Sequence, residues 1–181
     1  MSRKKKPVLI ETPPENISQI IDIPFLDTPI PKFLMVKGIG VAKTLLNAFD
    51  LALLDAGIGD INLVKISSIL PPGYVKDDYT YLVPGGIYNV AYSHIESENR
   101  GDRLVSAVAV GIPKDSSKAG VIMERSWCTK SQVQGIANYM SFMVHEAMAA
   151  RNREIGDILY SIAEDRVVGS PVSTFAGLVL V

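Results

Sequence analysis

The run Asn62-Leu63-Val64-Lys65-Ile66-Ser67-Ser68-Ile69-Leu70-Pro71-Pro72-Gly73 is apolar and strand-like until two prolines and a glycine stop it. Its β-branched residues suit a pleated, half-buried surface, and proline removes the donor that a sheet ladder needs, so residues 61–70 are predicted as one strand. Two adjacent serines stand at its downstream end. One chemistry requires such a pair: a chain that cuts its own backbone to make a reactive group. The Ser68 hydroxyl attacks the Ser67 carbonyl and turns the peptide bond into an ester. β-Elimination then frees Ser67 as a new C-terminus and leaves dehydroalanine at 68. Hydrolysis converts that group into a pyruvoyl ketone, which can serve as an electron sink. Most Ser-Ser pairs are ordinary surface or turn residues, so the surroundings decide.

Upstream of this run, residues 32–37 read as a strand, followed by a turn at Gly38-Ile39-Gly40. A helix is predicted from near Val41 to Asp55 and is ended by Gly57. Downstream, further strands are predicted at residues 87–97, 103–112, 120–127, 157–165 and 173–181. A long helix is expected over residues 131–151, capped by Thr129 or Ser131. Val133, Ile136, Ala137, Met140, Val144 and Ala147 recur along it at helical spacing and form one stripe. Two helices among many strands make an α+β or layered α/β arrangement. Residues 1–19, with Pro7, Pro13 and Pro14, read as a flexible extension, and residues 20–181 as a single domain.

The chain has 181 residues, 48% hydrophobic and 20% charged, enough for one soluble domain with its own core. A formal net charge of −1 gives no reason to expect nucleic acid as a partner, and the basic start Arg3-Lys4-Lys5-Lys6 reads as a solvated tail. One cysteine, Cys128, excludes an internal disulfide and suits a reducing compartment. No apolar run approaches the roughly 20 residues of a membrane helix, and no apolar segment suited to export follows the basic start, so a cytoplasmic protein is expected.

Three polar residues stand out. In the first helix Leu46, Phe49 and Leu53 share a face by 100° rotation per residue, with Asp50 falling between them. A carboxylate in an apolar stripe is costly unless a cation meets it. That cation is either a lysine or arginine of this chain or a cationic ligand, for which a guanidinium pairs best. Glu124 follows Gly120-Val121-Ile122-Met123 and is either a solvated strand-end carboxylate or, in a pocket, a proton donor. Asn62 opens the serine strand and is suited to orienting a carbonyl or hydroxyl. It precedes Ser68 by six residues, about 20 Å in a straight strand, so a shared site needs a bend or a second subunit.

Other patterns carry no function. Gly38-Ile39-Gly40-Val41-Ala42-Lys43-Thr44 lacks the glycine that a phosphate loop has directly before its lysine. His94 and His145 have no metal-ligand spacing, and with one cysteine no metal site is expected. His145 falls off the apolar stripe and is expected to be exposed, while Trp127 and the helix methionines read as core. A hydrolase built on Ser68 would lack a nucleophile elbow.

Together these residues resemble the pyruvoyl-dependent arginine decarboxylases. Three segments carry the likeness: Leu46-Asn47-Ala48-Phe49-Asp50 through Leu54-Asp55-Ala56-Gly57-Ile58-Gly59; Asn62 through Ile69 with Pro71-Pro72; and Ile112-Pro113-Lys114-Asp115 with Gly120-Val121-Ile122-Met123-Glu124. The general match covers roughly residues 30–181. The resemblance implies cleavage between Ser67 and Ser68, giving a β chain of residues 1–67 and an α chain of residues 68–181. Ser68 would become a covalent pyruvoyl group, with neither a metal nor pyridoxal phosphate required. It also implies guanidinium binding by Asp50 with Leu46 alongside, proton donation by Glu124, and a processing or positioning role for Asn62. The implied fold is a four-layer αββα sandwich in trimers of αβ units, able to pair as a dimer of trimers, with sites between subunits. The implied reaction converts L-arginine to agmatine and carbon dioxide, feeding polyamine synthesis. Another amino acid as substrate, or an unprocessed non-catalytic paralogue with a structural or regulatory role, are the alternatives.

Overall fold

The computed structural model describes residues 31–181, so the extension expected over residues 1–19 lies outside the described residues. The elements, in chain order, are β1 (Lys32–Val41), α1 (Leu45–Asp55), β2 (Asn62–Lys65), β3 (Ile69–Leu70), β4 (Val75–Lys76), β5 (Ile87–Ser97), β6 (Arg103–Pro113), β7 (Gly120–Thr129), α2 (Ile136–Ala149), β8 (Ile155–Arg166) and β9 (Val172–Leu180). They form a five-stranded sheet in the order β2-β5-β9-β1-β4 and a four-stranded sheet in the order β3-β7-β6-β8.

The two sheets face each other, and one helix covers each outer face. Between the sheets Phe33, Ala176 and Leu178 meet Val108, Val110 and Ile122. α1 lies over Val90, Phe175 and Val179 of the first sheet. α2 lies over Ala107, Ala109 and Val121 of the second through Met140, Val144 and Met148. The layer order is therefore α, β, β, α within one chain. Central strands covered on both faces read as continuous apolar runs. β6 shows this directly: Ala107 and Ala109 turn to α2 while Val108 and Val110 turn to the other sheet.

The glycines at 38 and 40 do not make the expected turn. β1 runs through them to Val41, in antiparallel register with β9. The reason is close approach. A Cβ at Gly38 would overlap the Ala52 carbonyl oxygen, and one at Gly40 the Ala48 carbonyl oxygen. Missing side chains on the strand thus let the backbone of α1 settle directly on it. α1 starts later than predicted because Val41 still pairs with Val172, and extended Thr44 caps the helix by accepting from the Asn47 N–H at 3.2 Å.

The predicted strand 61–70 is two strands in two sheets. β2 pairs in parallel with β5, whereas β3 pairs antiparallel with β7. The chain crosses from one sheet to the other at residues 66–68, at the edge strand of each. α2 is also shorter than predicted. Its N-cap is Gly135 in the left-handed region, φ 65°, without a side-chain cap, and Thr129 instead accepts from the Ser131 N–H at 3.2 Å in a turn. Met140 and Met148 are core, His145 is exposed, and Ala137, expected in the stripe, is exposed. No helix among the described residues is long and apolar enough to cross a membrane.

Candidate active site

The crossing between the sheets holds the serine pair by its backbone. The Ile66 N–H donates to the Val90 carbonyl at 3.1 Å, the last tie to the first sheet. The Ile122 N–H donates to the Ser68 carbonyl at 2.9 Å, the first tie to the second. Between them the Ile69 N–H donates to the Ser67 carbonyl at 2.7 Å, closing a three-residue turn centred on Ser68. The Ser67–Ser68 peptide therefore bridges two anchored edges. Pro71 ends β3 after two residues because it has no N–H for the ladder.

β7 brings Glu124 to this turn. The Ser68 hydroxyl donates to Glu124 Oε1 at 3.1 Å. Glu124 lies in mid-strand, opposite Val108, and its side chain is only 16% exposed. Burial raises its pKa above the usual carboxylate value; the Ser68 hydrogen bond and the positive charge of Lys65 work against that rise. Of the two readings the sequence left open for Glu124, the structure has the sheltered one. A hydroxyl and an acid–base group in contact, beside a carbonyl already accepting an N–H, are the parts that acyl transfer at the Ser67 carbonyl requires.

Lys65 is the residue that sequence reasoning missed. Its Nζ lies 4.0 Å from Glu124 Oε2 and 4.5 Å from the centre of the Tyr92 ring. A lone lysine in an exposed edge strand carries no sequence signal. Tyr92 also packs against Phe175 and lies 5.9 Å, centre to centre, from His94. The His94 ring in turn meets Phe49 of α1 at 4.8 Å, and its burial lowers its pKa.

Asn62 is not brought to Ser68 within this chain. Its side-chain amide donates to the Gly85 carbonyl at 2.9 Å, and its own N–H donates to the Gly86 carbonyl at 2.8 Å. It therefore does orient a backbone carbonyl, but at the far end of β2.

The reading of Asp50 within an apolar stripe is corrected. The buried face of α1 is centred on Ala48 and Ala52, because the glycines of β1 admit a helix backed by alanines. Phe49 and Leu53 flank that face, partly buried. Asp50 points outward with Leu46, which is 75% exposed. Among the described residues Asp50 enters no ion pair, so the internal salt bridge is not found there. It lines an open cavity of about 640 Å³ with Lys43, Leu46, Asn47 and Leu51. α1 packs on β1, β9 and β5, and Asp50 makes no hydrogen bond or ion pair with Ser68, Glu124 or Lys65. Within one chain the structure joins Ser68, Glu124 and Lys65, and it leaves Asp50 and Asn62 apart from them. Among the described residues no group of three or more His, Cys, Asp or Glu is placed to hold a metal.

A family model described as pyruvoyl-dependent arginine decarboxylase matches residues 32–177. A Methanococcus vannielii protein named pyruvoyl-dependent arginine decarboxylase is 36% identical over 146 residues, covering 81% of this chain and 87% of its own length. A protein of that name from Methanothermobacter thermautotrophicus is 39% identical over 130 residues, covering 72% and 83%. One from Methanocaldococcus jannaschii is 37% identical over 147 residues, covering 81% and 87%. A solved structure of pyruvoyl-dependent histidine decarboxylase overlays with a TM-score of 0.43 and 12% identity, covering 58% of this chain and 53% of its own, a likeness too loose to inform function.

Proposed function

Because this chain belongs to the pyruvoyl-dependent arginine decarboxylase family, we propose that it cuts itself between Ser67 and Ser68 and then decarboxylates L-arginine to agmatine and carbon dioxide. By that membership it is an enzyme of the carboxy-lyase class. The observation that carries the proposed self-cleavage is the 3.1 Å hydrogen bond from the Ser68 hydroxyl to Glu124.

The residues at the crossing fit a group made from Ser68. Glu124 takes the hydroxyl proton as Ser68 Oγ bonds to the Ser67 carbonyl carbon. The Ile69 N–H faces the oxygen on which charge collects. The Ser67–Ser68 carbon–nitrogen bond breaks, the nitrogen takes up the proton, and an ester remains. Loss of the Cα proton of residue 68 then expels Ser67 as a carboxylate and leaves dehydroalanine. Water adds, ammonia leaves, and residue 68 becomes the pyruvoyl ketone. In turnover that ketone supplies the electron sink for the charge left when carbon dioxide departs.

Glu124, with its raised pKa, keeps a proton to higher pH than an exposed carboxylate and is suited to delivering it to the α-carbon. Asp50 is suited to pairing with the guanidinium at the substrate's far end, with Leu46 beside the methylenes. Since Asp50 makes no hydrogen bond or ion pair with Ser68, Glu124 or Lys65 of its own chain, Asp50 of one subunit would stand against Ser68 and Glu124 of the next. Asn62 would likewise position groups of a neighbouring subunit. A trimer of αβ units, able to pair with a second trimer, meets that requirement. The setting proposed is cytoplasmic, with agmatine passed to polyamine synthesis.

The test is the intact mass of the purified protein under denaturing conditions, with an agmatine assay across basic amino acids. Two fragments divided after Ser67 are expected, as is product from arginine. Ser68→Ala should remain whole and inactive. A wild-type protein that stays one chain overturns the proposal.

A further inference from the structure

We propose that Lys65 is a positioning residue for Glu124: its ammonium, seated over the Tyr92 ring, holds carboxylate oxygen Oε2 so that Oε1 stays aimed at the Ser68 hydroxyl. This inference rests on the self-cleavage and decarboxylation reading and assigns a part to a residue to which the mechanism gives none.

The geometry carries it. Glu124 has two oxygens with two different partners: Oε1 accepts from Ser68 at 3.1 Å and Oε2 faces Lys65 Nζ at 4.0 Å. The hydrogen bond fixes Oε1, and the ammonium at ion-pair distance draws Oε2 to its own side, which favours the rotamer that offers Oε1 to Ser68. Lys65 is itself held, since its Nζ stands 4.5 Å from the centre of the Tyr92 ring. Tyr92 is fixed in turn by stacking on Phe175 at 5.2 Å, inside the core under α1. The chain of support runs from the core of the first sheet, across its edge strand, to an acid on the second sheet. Lys65 thereby links the edge strand of the first sheet to β7 of the second, beside the point where the backbone crosses between them.

The electrostatic setting makes this testable. Among the described residues, Glu124 hydrogen-bonds to Ser68 at the crossing and pairs with Lys65 from β2, and Tyr92 of β5 lies under Lys65, with His94 beside Tyr92. β6 presents Val108 opposite and adds no charge there. Arg125, next in β7, turns to the other face, over Trp127 and Tyr139. Lys65 is thus the cation that favours the ionised form of Glu124, against burial. Removing it raises the pKa further. Self-cleavage needs the ionised form, so its acid limb should move to higher pH. Protonation of the α-carbon needs the acid form, so the alkaline limb of decarboxylation should also move to higher pH. The two reactions have opposite protonation demands, yet both limbs should move the same way. A unit charge 4.0 Å away in water-like surroundings is worth about 0.7 of a pH unit.

The experiment measures the cleavage rate of freshly made precursor and kcat for arginine against pH, in the wild type, Lys65→Gln and Lys65→Arg. Lys65→Gln is expected to shift both limbs upward by about half a unit to one unit, and Lys65→Arg to restore them. Tyr92→Leu, which removes the seat and keeps the charge, should slow cleavage at its pH optimum while leaving the limbs nearly in place. Because Lys65→Gln removes the charge, limbs that stay unmoved in that variant, whatever its rates, would mean that the ammonium does not act on Glu124 and would overturn the positioning role while leaving the parent reading intact. A wild type that is not cleaved at all would instead overturn the parent reading, so the two failures are distinct.

Discussion

Glu124 faces two demands of opposite sign. To start the cut it must be ionised and take the Ser68 proton; to finish decarboxylation it must be an acid. Burial raises its pKa, and Lys65 together with the Ser68 hydrogen bond limits the rise, which brings both states into reach over a range above the ordinary carboxylate region. Glu124→Gln keeps the shape and an acceptor oxygen but cannot carry the proton. Cleavage and turnover should each slow by roughly 10²- to 10⁴-fold, read by intact mass over time and by agmatine release. A wild-type rate in either reaction would remove Glu124 from that step. For single residues the sequence was informative about type and not about environment. Ser68 and Glu124 can be named from their neighbours, but helical spacing puts Asp50 on an apolar face because it treats Leu46, Phe49 and Leu53 as equivalent. The structure separates them, since what faces the sheet is decided by where glycines allow approach.

α1 and β1 are the elements on which that separation depends. Gly40 leaves no room for a side chain beneath the helix, since even a methyl group would overlap the Ala48 carbonyl. Gly40→Ala should lower stability by about 1–3 kcal/mol or more, seen as a lower Tm, by pushing α1 off the sheet. An unchanged Tm would mean that the helix is not seated so closely. The most buried strand was legible because both of its faces are covered and its sequence runs apolar; β6, predicted at residues 103–112, is observed as Arg103–Pro113. The break at residues 66–68 was not legible. Val64, Ile66 and Ile69 all favour a strand, and the slip in their spacing from two residues to three does not say that the partner changes from β5 to β7.

Across the fold, the two halves of the proposed site lie in different places. Ser68, Glu124 and Lys65 gather at the open edge where β2 and β3 end their sheets, while Asp50 faces outward from the helix layer. If neighbouring subunits complete each other, two defective chains can make one sound site. Asp50→Ala and Glu124→Gln, each nearly inactive alone, should regain about a quarter of wild-type activity when co-assembled in equal amounts. No recovery would place both residues in the same subunit's site and sink the shared arrangement. Residue types and short-range spacing were enough for the kinds of element, the two-helix α+β composition, the serine pair with its proline stop, and the family, because each of these is a local property of the chain. The packed fold was needed to show that the serine strand divides between two sheets and that Glu124, 56 residues further along, meets the Ser68 hydroxyl. It was needed equally for Lys65 facing the other Glu124 oxygen and for Asp50 turning outward. Those arrangements join or separate parts of the chain far apart in sequence, and they are settled by how helices and sheets pack rather than by any local preference.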